Sequence, residues 1–435
     1  METIMNILSL TSAWEAVILS FSPVFTQPTA RIFINLITGW ILCTTRRTIT
    51  GIFPYAEPKG KRPHDTYHRL FGKSRWLPAH LWKLLAQLLI ELFYPAGDIW
   101  LDLDDTIFHR TGRKIDGAGW WRDPILSTAS HLVHCWGLNL VVLTLRVIPP
   151  WGGEPLGLPI NMRLHRKDGP GLIELATQIL QEVKGWFPER QFIMGADGFY
   201  ATLAGCCAAY THIISRMRRD AAIYALPKKK PKHQRGPKPK RGKRLGTPAQ
   251  IASRAKSWHR VKTKERGKTK YRLVYARVVI WYRVSHAPVL LVISRDPAGK
   301  EKDDFFFTTD LQLTAAEVIG GFAGRWSIED TFKNTKQSLG SEEPQTWKDQ
   351  GPERAAVISL WLYSVVWAWY IRHGYGKTIL LIRPWYSAKT CPSFQDALAA
   401  LRRVLWRKRI IVMFGNHTVP ARIIEFFINA VASAA

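Results

Sequence analysis

The hydrophobic and polar positions of this 435-residue chain follow two different periods. Residues 80–94 and 171–187 repeat apolar side chains every three to four positions, which is typical of amphipathic helices. Residues 136–148 and 158–164 are short apolar runs of residues that favour strands. Helix and strand segments therefore alternate, and the pattern predicts a mixed α/β fold.

Two further predicted strands lead directly into aspartates. Residues 98–106 (DIWLDLDDT) end in clustered acids, and residues 191–200 (QFIMGADGFY) contain Asp197 followed by glycine. Open α/β sheets place their chemistry where neighbouring strands end, so these carboxylates are candidates for a common site. An aspartate in such a position is also a frequent turn former or helix N-cap, and neither acid defines a site alone.

Residues 321–340 (GFAGRWSIEDTFKNTKQSLG) set an acid among bases at helical spacing and end on a glycine. On one continuous helix, Arg325, Glu329 and Lys336 fall within about 40° of one another, with Phe322 beside them. The pattern predicts a face that carries a carboxylate between two cations. A solvated charged face with pairing between residues four apart would show the same spacing.

A large excess of basic residues indicates a polyanionic partner. The chain carries 62 Lys and Arg against 33 Asp and Glu, a formal net charge of +29. Nucleic acid is the leading candidate, and an anionic membrane surface is the competing one.

The basic residues are densest in residues 227–244, which hold ten cations, four prolines and no acid. Such a composition predicts an extended, self-repelling loop, here called the basic arm. We interpret it as an arm that contacts phosphates through Lys228, Lys229, Lys230 and Arg241; the alternative is a solubility linker.

The chain beyond the basic arm forms a β-rich insertion between the second aspartate and Glu329. Residues 257–270 remain basic, and residues 271–284, 289–294 and 304–309 have the composition of strands.

The apolar segments do not predict a membrane protein. Residues 355–371 are nearly free of charge, but hydroxyl side chains interrupt them and Arg354 and Arg372 close them, so we expect a core helix. The N-terminal 45 residues lack a basic region followed by a small-residue cleavage site. The five cysteines include no C-x-x-C pair, which favours reduced thiols that serve mostly in packing.

These motifs together resemble the DDE transposases of bacterial insertion sequences, in the subgroup with the signature Y-x2-R-x3-E-x6-K. Every spacing of that signature is matched from Phe322 to Lys336, with phenylalanine in place of the tyrosine. Residues 103–106 (LDDT) and 195–200 (GADGFY) resemble the family's two aspartate motifs. The resemblance spans roughly residues 98–370.

The resemblance implies a catalytic site built from Asp104, Asp197 and Glu329. These three acids would hold two Mg²⁺ ions, with Mn²⁺ as a substitute, because hard cations take oxygen ligands. Arg325 and Lys336 would contact the flanking phosphates. Water attack would then free a 3′-OH, which would attack target DNA in the same site.

The choice of the first acid depends on strand alternation and on the family motif. Alternation puts Asp102 and Asp104 on one side of the strand and Asp105 on the other. The motif aligns the catalytic acid with Asp104, and Asp102 lies deeper in the strand.

The resemblance also implies an organisation and a set of partners. The fold class is α/β, with a ribonuclease-H-like mixed sheet core, a β-rich insertion and flanking helical segments. The expected regions are an N-terminal helical region that could bind DNA (1–95), a first core segment (96–225), the basic arm and insertion (226–310), a second core segment (311–385) and a basic helical tail (386–435). The expected partner is double-stranded DNA, both the ends of the element and the target. We expect a homodimer to bind it, in the cytoplasm at the nucleoid, and we expect no membrane partner. The alternatives are a transposase-derived DNA-binding protein without activity and a membrane-associated basic protein.

The basic arm generates the first prediction. If four of its ten cations contact phosphate, deletion of residues 227–244 should flatten the slope of log affinity against log salt by roughly 3 to 4 units. The effect should be nearly equal on specific ends and random duplex, because backbone contacts carry little sequence information. Binding titrations at several salt concentrations measure the slope, and an unchanged slope would reduce the arm to a solubility linker.

Overall fold

The computed structural model describes residues 2–123, 126–128, 130–228, 237, 239–380, 382, 387–414 and 421–432. The chain begins with a helical region. Its helices are α1 (Glu2–Leu19), α2 (Gln27–Leu42), α3 (Ile49–Ala56), α4 (Asp65–Gly72) and α5 (Pro78–Phe93). Proline opens α2 and α5, where its missing N–H costs no helical hydrogen bond, and the Thr48 hydroxyl caps α3. Helix α5 confirms the helix predicted at residues 80–94.

A mixed sheet follows the helices and forms the centre of the fold. Its first elements are β1 (Ile99–His109), β2 (Gly119–Arg122), β3 (His134–Val147), β4 (Leu156–His165), α6 (Leu172–Trp186), β5 (Phe192–Ala196), α7 (Leu203–Cys206) and β6 (Thr211–Arg216). Strands β4, β3 and β1 pair antiparallel, and β1, β5 and β6 pair parallel, in the spatial order β4-β3-β1-β5-β6. This order is ribonuclease-H-like, and the predicted mixed α/β fold class is confirmed.

The insertion extends the same sheet. Its elements are β7 (Ile223–Tyr224), β8 (Arg244–Gly246), α8 (Pro248–Arg254), β9 (His259–Glu265), β10 (Lys268–Val279), β11 (Val289–Arg295) and β12 (Asp304–Thr308). Strand β12 pairs with β6, and β11, β10 and β9 continue outward, so that the described part of the chain contributes ten strands to this sheet. The three predicted strands are present. Strand β9 was not predicted, because its alternating basic residues suit a solvated edge.

The C-terminal part returns to helices. They are α9 (Ala315–Gly324), α10 (Ser327–Ser338), α11 (Gly351–Trp369), α12 (Phe394–Phe414) and α13 (Ala421–Ala432). Helix α9 packs on one face of the sheet through Ile193 and Ile214, whereas Phe192 and Met194 of β5 face the opposite side, in the main core with α6. The alternation of β5 thus buries both faces of the sheet.

The continuous helix predicted over residues 321–340 is wrong. A tight turn at Arg325 and Trp326 separates α9 from α10, with hydrogen bonds from Ile328 N–H to Arg325 C=O and from Glu329 N–H to Trp326 C=O. Three glycines in the last five residues of α9 weaken its end, and the Ser327 hydroxyl at the start of α10 is hydrogen-bonded to Asp102 in the sheet.

Helix α11 is the core helix that its composition predicted. Among the described residues, Gly351–Gly374 is long and apolar enough to cross a membrane, but 94% of its most apolar window is buried inside the protein. Arg354 donates to the carbonyls of Phe71 and Trp76, and the Ser364 hydroxyl donates to Pro159. These partners lie in α4, after α4 and in β4, so α11 joins the N-terminal helices to the sheet.

The basic arm is only partly described, since residues 229–236 and 238 lie outside the described residues. Its last residues differ from the predicted extended loop. Lys243 and Gly242 exchange backbone hydrogen bonds with Ala225, Arg244 belongs to β8, and Arg241 stacks over Tyr224. A deletion that spares this ladder removes residues 228–239 only, and this shorter deletion is the better test of the arm.

A buried ion pair lies at the centre of the sheet. Asp102 of β1 is completely buried and accepts from Arg146 Nε at 2.9 Å and from Arg146 Nη2. Gly195 faces Asp102 on β5, and a Cβ atom there would lie 2.6 Å from Asp102 Oδ1 and 2.7 Å from Arg146 Nη2. Only glycine leaves room for this pair.

We therefore expect Gly195→Ala to destabilise the protein by about 1–3 kcal/mol, the usual cost of overpacking. Gly185→Ala is the matched control, because its Cβ would meet open space within α6; it should be neutral or stabilising by up to about 1 kcal/mol. Urea denaturation of both variants measures the difference. Equal stability of the two variants would contradict the packing argument.

Candidate active site

The first two predicted acids lie side by side where two parallel strands separate. The parallel ladder between β1 and β5 ends at the pair Leu103 and Ala196, so Asp104 and Asp197 are the next residue on each strand. The sequence predicted that this strand ends at the acids, but β1 continues to His109 along β3. Adjacent strands lie about 4.8 Å apart, which brings the two aspartates to one edge of the β5 ladder.

Asp197 also caps a short helix. Its Oδ1 accepts from Phe199 N–H at 2.8 Å at the start of the 3₁₀ helix Gly198–Thr202, and Ser215 donates to its main-chain carbonyl. Asp197 therefore has the helix N-cap role that is frequent for an aspartate at a strand end. It fixes the carboxylate at the end of β5.

Arg325 links the third predicted acid, Glu329, to the first, Asp104. At the turn between α9 and α10, Arg325 Nη1 donates to Asp104 Oδ2 at 2.5 Å, and Nη2 donates to Glu329 Oε1 at 3.2 Å. The pairing of residues four apart, which was the alternative interpretation of this charged face, is therefore present between Arg325 and Glu329. One buried guanidinium thus bridges an acid of the sheet and an acid of α10.

The environment of these acids disfavours their negative charge. The pKa of Asp104 is raised to about 7: burial is the largest cause, Arg325 opposes it, and the charges of Asp105 and Asp197 add to the rise. Burial also raises the pKa of Glu329, again opposed by Arg325. A single guanidinium therefore does not fully compensate these carboxylates.

The donor set suits hard divalent cations. Asp104, Asp197 and Glu329 offer carboxylate oxygens only, which are the ligands that Mg²⁺ and Mn²⁺ prefer. Their oxygens do not all lie within 4.8 Å of one another, and Arg325 lies between two of them. A pair of ions is what the sequence resemblance implies for this donor set.

The neighbouring aspartate has a different partner. Tyr200 donates its hydroxyl to Asp105 Oδ1 at 2.9 Å. Burial raises the pKa of this phenol, and the Asp105 charge raises it further. Asp105 is thus tied to the 3₁₀ helix after β5, whereas Asp104 is tied to Glu329 through Arg325.

The other predicted basic residues lie farther from the acids. Lys336 Nζ donates to the carbonyl of Ile107 at 2.7 Å and lies 3.8 Å from Glu342, and burial lowers the pKa of its ammonium. Arg241 stacks between Tyr224 and Tyr282. Lys228 is exposed, whereas Lys229 and Lys230 lie outside the described residues.

A basic cleft of about 550 Å³ opens beside the acids. Its charged lining residues are Asp197, Arg216, Glu265, Arg266, Lys268, Lys270, Asp304 and Arg325. The turn between β9 and β10 forms one wall: Arg266 and Gly267 both have positive φ, and the Arg266 guanidinium lies 3.6 Å from the ring centre of Trp326. The insertion therefore reaches over the turn that carries Arg325.

Several residues of the site escape sequence reasoning. Ser327 and Tyr200 lie inside the quoted motifs, two residues before Glu329 and three residues after Asp197, but the sequence assigned them no role. Arg146 and Arg266 lie outside those motifs, and of these two only Arg266 carries a local signal, the two-residue turn with Gly267 between alternating strand residues.

The comparison with protein families agrees with this geometry. Residues 20–286 match the family described as DDE superfamily endonuclease. The match covers more than half of the chain, and the chain therefore belongs to this family. Asp104 and Asp197 lie inside the matched range and Glu329 lies outside it, so the role of Glu329 depends on the resemblance and on its contact with Arg325.

The other comparisons add less. No curated protein matches the sequence. Among solved structures, the chain is similar to the cryo-EM structure of a piggyBac transposase synaptic complex with hairpin DNA, at a TM-score of 0.40 and 9% identity, with 99% of this chain and 85% of that chain covered. A likeness at this level transfers no residue roles.

Phe322, which replaces the tyrosine of the signature, lines the basic cleft. Its ring packs 5.0 Å from that of Phe306, and the guanidinium carbons of Arg216 and Arg325 each lie 5.4 Å from its centre. The ring is half-buried, with basic groups around it.

We expect Phe322→Tyr to change the free energy of unfolding by less than about 1 kcal/mol and to keep or increase DNA cleavage, because the added hydroxyl meets a basic cleft. Phe307→Tyr is the control: this ring is fully buried against Trp281, and an unpartnered hydroxyl there should cost about 1–3 kcal/mol. Thermal melts compare the two. A loss for Phe322→Tyr as large as that for Phe307→Tyr would place the Phe322 ring in the core.

Proposed function

We propose that this protein is a DDE transposase, which binds the ends of its mobile element, cleaves DNA by metal-assisted hydrolysis and joins the 3′-OH ends to target DNA. One observation carries the proposal: in a chain of the DDE superfamily endonuclease family, Asp104 and Asp197 lie at the end of one parallel ladder, and Arg325 links Glu329 to Asp104. The strand-transfer step, and the assignment to bacterial insertion sequences, come from the sequence resemblance.

Asp104, Asp197 and Glu329 are the residues that would hold Mg²⁺, or Mn²⁺ in its place. When bound, the divalent ions would activate the attacking oxygen and stabilise the leaving 3′ oxygen. Burial that raises the pKa of Asp104 keeps its charge unfavourable until a cation compensates it, so metal binding should release protons.

Arg325 has two roles in this proposal. Its contacts with Asp104 and Glu329 hold the acids at the right spacing and partly neutralise them. Binding of divalent cations to the acids would weaken those contacts, and the guanidinium, next to the basic cleft, would then contact a DNA phosphate.

The basic cleft supplies the site for the DNA backbone. Arg216, Arg266, Lys268 and Lys270 line it beside the acids, and cations in such a position contact phosphates without reading sequence. Double-stranded DNA, both the ends of the element and the target, is therefore the proposed partner. We propose in addition that a homodimer binds it in the cytoplasm, at the nucleoid. Lys336 is bonded to the Ile107 carbonyl, and its proposed role is support of the strand that carries Asp104.

Substitution of the acids tests the proposal. Asp104→Asn, Asp197→Asn and Glu329→Gln should each lower cleavage of DNA bearing the element's ends by at least about 100-fold, which exceeds the usual loss from a supporting residue. Binding of the ends should change by less than about threefold, because phosphate contacts carry the affinity. Gel assays with Mg²⁺ measure cleavage, and titrations without metal measure binding.

Two neighbouring acids provide matched controls. Asp330→Asn removes an exposed acid one residue from Glu329, and Asp105→Asn removes the acid bonded to Tyr200; both variants should cleave. Cleavage by Asp104→Asn together with inactivity of Asp105→Asn would overturn the choice of the first acid. Binding without cleavage by the unmodified protein would favour the alternative, a DNA-binding protein derived from a transposase.

A further inference from the structure

A second cluster of metal-binding side chains lies at the far end of β1. His109 is five residues beyond Asp104, about 17 Å along the strand at 3.3 Å per residue. The ligand atoms of His109, Asp123 and Cys135 all lie within 4.8 Å of one another, and among the described residues no other group of three such side chains meets this limit. The cluster is therefore separate from the predicted catalytic acids.

The sheet places these three side chains on one face. His109 pairs with Gly137 of β3, Cys135 lies two residues away on β3, and the N–H of Asp123, just after β2, donates to the carbonyl of Val133. Paired residues, and residues two apart on a strand, share a face. Three strands thus deliver one nitrogen, one oxygen and one sulfur donor to the same place.

Contacts behind the cluster aim the donor atoms inward. Glu342 Oε1 accepts from the His109 main chain at 2.8 Å and lies 3.0 Å from His109 Nδ1, which assigns the ring proton to Nδ1 and the lone pair to Nε2. Nε2 faces Asp123 Oδ2 at 3.6 Å, and Asp123 Oδ1 accepts from Leu126 N–H at 3.0 Å. A carboxylate behind a histidine is the usual support of a metal-binding imidazole.

We propose that His109, Asp123 and Cys135 bind a zinc ion, with Glu342 orienting the imidazole. The donor set favours zinc over magnesium, because thiolate and imidazole are zinc ligands and magnesium takes oxygen. His109 is exposed, so water can reach the fourth coordination position. The ion clamps β2 and β3 to β1 and, through Glu342, to the segment that follows α10.

Lys336 is the competing cation at this place. Its ammonium lies 3.8 Å from Glu342 and donates to the carbonyl of Ile107. Without zinc, the cluster would be an ion-pair network that only supports Lys336. The two interpretations differ in whether Cys135 binds metal, so the experiments measure metal binding at the Cys135 thiol.

The purified full-length protein, loaded with Zn²⁺ and desalted, should retain about one zinc per chain in the presence of excess Mg²⁺, which competes for the carboxylate site. Cys135→Ser and His109→Gln should lose this zinc, whereas Cys206→Ser, an exposed cysteine outside the cluster, should retain it. Loading with Co²⁺ should give a thiolate charge-transfer band that disappears in Cys135→Ser and persists in Asp104→Asn. Equal zinc content in Cys135→Ser and the unmodified protein would overturn the proposal.

A measurement on the unmodified chain guards against misfolded variants. Zn²⁺ should slow alkylation of Cys135 at least tenfold and leave the rates at the exposed Cys206 and Cys391 unchanged, as mass spectrometry of the labelled peptides would report. Equal alkylation of Cys135 with and without Zn²⁺ would show that the cluster is an ion-pair network. Neither experiment depends on DNA cleavage, so the zinc site and the proposed transposase activity can fail independently.

Discussion

The buried contact between Asp102 and Arg146 is the constraint on which the rest of the site depends. It joins β1 to β3 in the middle of the sheet, and Ser327 Oγ, at the start of α10, donates to the same carboxylate at 3.2 Å. Removing one partner of such a pair typically costs about 3–5 kcal/mol, because the other charge stays buried. Replacing both by apolar groups is often neutral, so the pair defines geometry more than it adds stability. Here it fixes the start of α10 against β1, and hence Glu329 against Asp104.

A second contact between acids and an arginine lies two residues farther along β1, at Asp104. Asp104 is bridged to Glu329 by Arg325, and burial still raises its pKa to about 7. The first pair is buried, whereas the second adjoins an open cleft through Arg325. The same chemical pairing therefore occurs in two environments, fully buried at Asp102 and beside a cleft at Asp104.

The insertion shows how an excess of positive charge is distributed without weakening the core. Strands β11 and β12 are buried and continue the hydrogen bonding of β6, whereas β9 and β10 carry their lysines and arginines at the edge. Glu265 and Glu301 pair with Arg272 there, so part of the charge is neutralised within the protein. Arg266, Lys268 and Lys270 line the cleft together with Asp197. Extension of the sheet thus brings a basic wall to the site while the apolar strands stay continuous.

The sequence by itself determined what depends on local pattern. Periodicity predicted α5, α6 and the main strands, composition predicted the burial of α11, and motif spacing singled out Asp104, Asp197, Arg325 and Glu329. These features were accessible because a period or a spacing is a property of neighbours along the chain.

The tertiary structure decided what depends on contacts between distant segments. It interrupted the predicted helix at Arg325, where a glycine-rich helix end meets the hydrogen bond from Ser327 to Asp102. It directed Lys336 to the Ile107 carbonyl, and it gathered His109, Asp123 and Cys135 from three strands. Sequence spacing does not predict these contacts, because strand pairing and burial decide which distant side chains lie next to one another.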